Sequence, residues 1–256
     1  EGNSLQAAIL RYYNALSRVG VNADLVNRQA DLAKYKLVLA PDLNVMPDET
    51  ARKLVSYVEK GGVLLADCRT GIKDCNNLCH ERTLPGLLSP ALGIRIEEYS
   101  ALGSNVRYAV KGEAGLDGSY NAIRHTDWVT PDGAETLARY SEQWHMKPFA
   151  AVTRNRLGKG QGWYVGTVIE QESFYDALIA QLLKGADIRP VVDPPNGVET
   201  SIRQGQGKKL LFVMNHTDQP ATVNVPEGKA ELLSGGRTDK TLRLDRFGVA
   251  VVLLEQ

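Results

Sequence analysis

Little in this sequence serves covalent or redox chemistry. Three of its 256 residues are cysteine (Cys68, Cys75, Cys79) and four are histidine. So few cysteines exclude a disulfide-built scaffold and suit a reducing, cytoplasmic compartment. An excess of one charge is also missing: 30 Lys and Arg stand against 30 Asp and Glu. No global field therefore draws the chain to nucleic acid or to an anionic membrane. No apolar run approaches the roughly 18 residues that a membrane span needs. No signal-peptide pattern opens the chain, and there is no internal repeat or low-complexity segment. The first residue is Glu1 rather than Met and a helix follows almost at once, so the sequence reads as a trimmed piece.

What is present is an ample apolar fraction, 43 % of residues, enough for one large domain or two unequal ones. Leu37–Asp42, a helix opening at Pro47-Asp48-Glu49 and the run Gly61–Asp67 form one βαβ unit. Val63–Ala66 is continuously apolar, as in a sheet covered on both faces. Upstream, Asn3 or Ser4 can cap a helix through about Val19, with Leu5, Ala8, Ile9, Tyr12 and Leu16 on one stripe and Gly20 as its stop. A short strand is expected near Ala23–Val26. Asp67–Thr83 is a polar loop, and a short helix follows Leu84-Pro85-Gly86. Arg95–Tyr99 and much of Val106–Tyr140 are β-like. Phe149–Asn155 and Gln161–Thr167 pair through a tight turn at Leu157–Gly160. A helix spans Glu170–Lys184. The stretch Val191–Gly197, with Pro194 and Pro195, is a linker. Six short strands follow it, which is a small antiparallel β-domain. The fold class is thus α/β, flavodoxin-like or class I glutamine-amidotransferase-like, followed by a small antiparallel all-β domain. Domains are expected over 1–189 and 195–256. A flavodoxin-like domain normally opens on a strand, and this chain opens on a helix. Either that strand lies outside this sequence or another element fills its slot.

Cys68 follows a buried strand, where class I glutamine amidotransferases place their nucleophile. That chemistry needs a sharp turn between small residues, a histidine base and an orienting acid. Here Ala66 stands where a Gly is wanted, and no His-Pro-Glu segment appears late in the domain, so a structural cysteine is expected. Cys68, Cys75, Cys79 and His80 also share one loop with spacing C-x6-C-x3-C-H, a donor set that suits tetrahedral zinc. The spacing departs from the C-x2-C knuckle, and all four ligands would come from a single loop. Gly158-Lys159-Gly160-Gln161-Gly162 lies between two strands, so it reads as a hairpin turn and not as a phosphate loop, which joins a strand to a helix. Glycoside hydrolysis needs two carboxyl groups about 5 Å apart in a retaining enzyme, or farther apart in an inverting one. Glu97 and Glu98 are adjacent on a strand and face opposite ways. Asp42 and Asp67 end neighbouring strands, where capping is the expected role. Trp128, Trp144 and Trp163 are candidates for sugar stacking or for an interface, with core packing the default for at least one. Asn215-His216-Thr217 fits the N-glycosylation pattern, expected here by chance.

The whole chain resembles the non-catalytic C-terminal half of glycoside hydrolase family 42 β-galactosidases. The residues that carry the resemblance come in order: Tyr35–Pro41, Tyr57–Gly62, Leu84–Leu88, Gly93–Tyr99, Ala151–Gly160 with Trp163–Thr167, Leu211–Thr217, and Gly248–Val251. The resemblance implies that residues 1 to about 189 are a trimerisation domain of amidotransferase-like fold without that fold's triad. Residues from about 195 are then the small C-terminal β-domain. It implies that the family's two catalytic glutamates belong to a (β/α)8 barrel absent from this chain, so no catalytic and no cofactor-binding residue is carried over. The partners it implies are further copies of the chain, as a homotrimer, and the barrel. The Cys75–His80 loop is richer in cysteine than the family pattern, which keeps zinc as the one cofactor to look for. The alternatives are an amidotransferase- or hydrolase-like enzyme using Cys68, and a carbohydrate-binding or interaction module.

Overall fold

The structure, a computed structural model, describes residues 4–255. It divides into two compact units, one formed by the chain up to Arg11 with residues 26–188, the other by residues 12–25 with the chain from Arg189 onward. No helix among the described residues is long and apolar enough to cross a membrane.

Helix α1 (Leu5–Arg18) begins where Ser4 Oγ accepts the Ala7 N–H at 3.2 Å. Ser4 thus supplies one of the orphan donors' partners at the helix start; Asn3, the other expected cap, lies outside the described residues. Ala8, Tyr12 and Leu16 are buried, whereas Leu5 at the very start is exposed. Gly20, at φ +68°, ends the helix as its left-handed cap.

In the first unit, β1 (Leu37–Ala40), α2 (Asp48–Glu59) and β2 (Val63–Asp67) form the expected βαβ unit, with β1 and β2 parallel and Leu37 opposite Val63. All five residues of β2 are buried. A one-turn 3-10 helix (Gly86–Leu88) and α3 (Ser89–Leu92) lead to β3 (Ile94–Ala101). Then come β4 (Tyr108–Gly112), β5 (Gly118–Pro131), β6 (Glu135–Tyr140), β7 (Ala150–Leu157), β8 (Gly160–Val165), β9 (Thr167–Ile169) and α4 (Glu172–Gly185). These strands build one nine-stranded sheet in the order β1-β2-β8-β7-β6-β4-β5-β3, with β9 on β5. β8 joins β2 in parallel. The other pairings of this sheet are antiparallel, and at β7–β8 the tight Gly158-Lys159 turn reverses the chain too soon for a crossover. Leu54 and Val58 of α2, Leu64 and Ala66 of β2, Leu88 and Leu92, and Tyr164 of β8 share one core.

The second unit carries β10 (Val198–Gly205), β11 (Lys208–Asn215), β12 (Ala221–Asn224), β13 (Ala230–Glu231), β14 (Thr241–Leu244) and β15 (Val249–Glu255). They form a four-stranded sheet, β10-β11-β15-β13, and a two-stranded one, β12-β14. All of these pairings are antiparallel. Leu211, Val213, Val223, Leu244 and Val252 pack between them as a separate core. The strand expected near Ala23–Val26 is not there. Instead the Asn22 side chain does a strand's hydrogen bonding on the edge of β10. Its Oδ1 accepts the Ile202 N–H at 2.7 Å and its Nδ2 reaches the Thr200 carbonyl at 3.5 Å. An amide side chain offers the same donor and acceptor as a peptide unit, so Asn22 meets the edge of β10 at Thr200 and Ile202.

Candidate functional site

In an open α/β sheet the carboxyl ends of the parallel strands are where ligands bind. Here those ends bring together Ala40–Asp42 after β1, Asp67–Thr70 after β2, Asp127 on β5 and Tyr164 on β8. Asp67 Oδ1 accepts the Asp42 N–H at 2.6 Å, so Asp67 ties the two strand ends together as a backbone cap. Thr70 Oγ1 donates to the Ala40 carbonyl at 3.3 Å. Asp127 Oδ2 takes two donors, the Tyr164 hydroxyl at 2.5 Å and the Arg69 N–H at 3.2 Å. Asp42 and Arg69 both hold left-handed backbone, at φ +46° and +72°. Such strain collects where surrounding contacts over-determine a loop.

Cys68 lies inside this node with 2 % of its surface exposed. Burial pushes its thiol pKa well up, and the charges of Asp67 and Asp127 push the same way. A nucleophilic or metal-binding cysteine needs the thiolate, which positive neighbours favour. Among the described residues no histidine is hydrogen-bonded to Cys68. His80 belongs to the loop after β2, its N–H donating to the Ile72 carbonyl. His145 sits in an aromatic group with Tyr108, Trp128 and Trp144. His216 pairs with Glu199 at 3.0 Å. His125 is held off its charged form by burial and by Arg69, Arg124 and Arg11. The elements of a Cys–His acyl-transfer site are therefore not assembled.

The four soft donors also fail to converge. Cys68 is buried under its strand end, while Cys75 and Cys79 are exposed. They sit on a tight turn closed by the Asp74 N–H to the Leu78 carbonyl at 2.8 Å. Among the described residues no three of His, Cys, Asp and Glu stand together as a metal site. Cys68, Cys75, Cys79 and His80, expected as one ligand set, are thus not brought together in this structure: Cys68 is buried at its strand end, and Cys75 and Cys79 are exposed on the turn.

The remaining candidates resolve into structural roles. Gly158-Lys159 is the two-residue turn of the β7–β8 hairpin, with Leu157 opposite Gly160. Glu97 lies 4.0 Å from Arg95 on the exposed side of β3. Trp163 is buried, its Nε1 donating to Gln161 and its ring under the Arg154 guanidinium at 5.4 Å. Trp128 packs against Phe149, with ring centroids 5.1 Å apart and the planes tilted by 39°. Trp144 alone of the three is open, 83 % exposed. Asn215 is buried with its Nδ2 donating to the Gln219 and Asp245 carbonyls, so the glycosylation pattern sits on an amide already used by the fold. Two small clefts lie among the described residues, about 10 Å³ beside Met46, His80 and Arg82, and about 70 Å³ beside Asn22, Glu199 and Arg203. The Asp127–Tyr164 pair had no marker in the sequence beyond a single Asp inside a β-like run.

Residues 1–189 match the β-galactosidase trimerisation domain and residues 197–254 the β-galactosidase C-terminal domain. The chain belongs to the glycoside hydrolase family 42 β-galactosidases. It corresponds to their non-catalytic trimerisation and C-terminal domains. The β-galactosidase BgaA of Clostridium cellulovorans is 32 % identical over 246 residues, covering 95 % of this chain and 36 % of that protein. BgaB of a Geobacillus species is 33 % identical over 246 residues, again with 36 % of its length covered. The chain thus spans a little over a third of its curated relatives. Among solved structures, the β-galactosidase of Bacillus circulans sp. alkalophilus superposes with a TM-score of 0.93 at 29 % identity, over 98 % of this chain and 38 % of that one. The β-galactosidase of Rahnella sp. R3 gives 0.90 at 27 % identity, over 100 % of this chain and 37 % of that one. Cys68, buried directly after β2, lies within the segment that matches the trimerisation domain.

Proposed function

We propose that this chain is the assembly portion of a cytoplasmic, homotrimeric β-galactosidase that hydrolyses terminal β-D-galactosides, and that it is catalytically inert alone. The observation that carries this is the pairing of two facts: both domains match non-catalytic parts of one enzyme family, in order, and the strand ends hold a buried, uncharged thiol with no base. The finer fold reading belongs to the same proposal. The parallel β1-β2-β8 core with α2 between β1 and β2 is a glutamine-amidotransferase-like scaffold whose reactive position has become part of the core. Trimerisation holds three catalytic barrels so that neighbouring subunits wall each active site. Self-assembly needs apolar surface that one copy cannot cover. Trp144 supplies such surface, on a segment pinned by the buried Met146 and by Gln143, which accepts the Ala109 N–H at 3.1 Å. The reading assigns the chain no cofactor. Its test is a nitrophenyl galactoside assay on the pure chain. No hydrolysis above buffer is expected, and turnover that persists through purification would overturn inertness.

A further inference from the structure

The larger cleft lies wholly within the second unit, and one of the hydroxyls that line it is left unused by the fold. Glu199, Ser201 and Arg203 alternate along β10, so their side chains share one face of that strand. Tyr13 and Ser17, four residues apart on α1, present one face of the helix to the same cleft. The exposed Asp24 completes the lining. Ser201 is only 8 % exposed, yet its hydroxyl makes no hydrogen bond among the described residues. A hydroxyl so placed, one donor and two acceptor sites, is costly unless a bound molecule meets it.

The groups around Ser201 are held in place. His216 Nε2 lies 3.0 Å from Glu199 Oε2, which fixes that carboxylate. Arg203 Nη1 donates to the Ile202 carbonyl at 3.1 Å. Asn22, two residues before Asp24, accepts the Ile202 N–H of β10 at 2.7 Å. Groups already ordered lose little freedom when a ligand arrives.

The lining also selects a ligand class. The carboxylates of Asp24 and Glu199 disfavour an anion, and the Arg203 guanidinium disfavours a cation. A neutral molecule rich in hydroxyls suits all three, because each hydroxyl can donate to a carboxylate and accept from the guanidinium or from Ser201. Tyr13, 40 % exposed, adds a ring for the apolar C–H face of a sugar. An opening of about 70 Å³ takes about five waters at about 10–15 Å³ apiece, which limits the guest to a single ring.

We propose that this cleft binds one neutral hexose ring, hydrogen-bonded by Ser201, Asp24, Glu199 and Arg203 and flanked by Tyr13. The site belongs to the second unit by itself and does not depend on the assembly role proposed above.

The test is an amide NMR titration of the whole 256-residue chain with D-galactose, D-glucose, glycerol and inorganic phosphate. One of the two hexoses is expected to shift the Ser17, Asn22 and Ser201 amides and to saturate on the order of 1–10 mM. Glycerol and phosphate are expected to leave these amides in place. Ser201→Ala is expected to weaken hexose binding by about three- to tenfold, and Arg203→Ala by about tenfold or more. No saturable shift up to about 100 mM of either hexose would overturn the proposal. So would phosphate or glycerol binding as well as the hexose, or both variants binding like wild type. The wild-type titration decides it even if a variant does not fold.

Discussion

Cys68 and Glu231 are two buried groups whose surroundings fix their protonation in opposite ways. Around Cys68, burial and the three carboxylates of Asp67, Asp127 and Asp42 hold the proton on. Iodoacetamide at neutral pH should therefore label the exposed Cys75 and Cys79 and leave Cys68 unmodified until the domain is unfolded; mass mapping of the labelled peptides reads this directly. Fast labelling of native Cys68 would revive a thiol enzyme. Glu231 lies in the small domain, where burial pushes its pKa up but is outweighed by the Ser234 side chain and by the N–H groups of Val251, Ser234 and Leu233, leaving it at about 2. Its folded value is below the ordinary 4.5, so its contribution is present above pH 4.5 and is lost as pH falls towards 2. Glu231→Gln is expected to unfold the small domain more easily at pH 7 and to narrow the gap to wild type at pH 3, as followed by denaturant titration at both.

At the scale of elements, the glycine run after β7 explains itself by contact. A Cβ on Gly160 would stand 2.1 Å from the Val58 carbonyl, and one on Gly162 2.1 Å from the Ala91 carbonyl. These glycines let α2 and α3 lie directly on β8, which is why a run resembling a phosphate loop occurs in a hairpin. Gly162→Ala is expected to cost about 1–3 kcal/mol of stability by urea unfolding. Gly205→Ala, with nothing near its Cβ position, should change stability by less than about 0.5 kcal/mol. A Gly162→Ala protein of wild-type stability would refute the contact argument. Local periodicity was enough to read α2, β2, α4 and the six strands of the small domain, because each buries one face or all faces in a regular pattern. The nine-stranded order was not readable, since β4–β6 and β2–β8 pairing joins residues far apart in sequence. The segment around Ala23–Val26 reads as a strand from its apolar residues, yet the edge of β10 is met by the Asn22 amide. At the site, the sequence offers Cys68 no His-Pro-Glu partner segment, and in the structure the residue is buried with its thiol proton held on. Asp127 was not legible, because its meaning comes from Tyr164 and Arg69, which are distant in the chain.

At the scale of the whole molecule, the account makes this chain an assembler. It rests on two matched non-catalytic domains and a closed strand-end node, and on exposed apolar groups such as Trp144 that one copy leaves uncovered. The most direct measurement is solution mass by light scattering on a sizing column, across a range of concentrations. The account predicts a mass of three chains of 28.0 kDa that persists on dilution. A single-chain mass at every concentration would contradict it, because the assembly surface would then lie outside this chain.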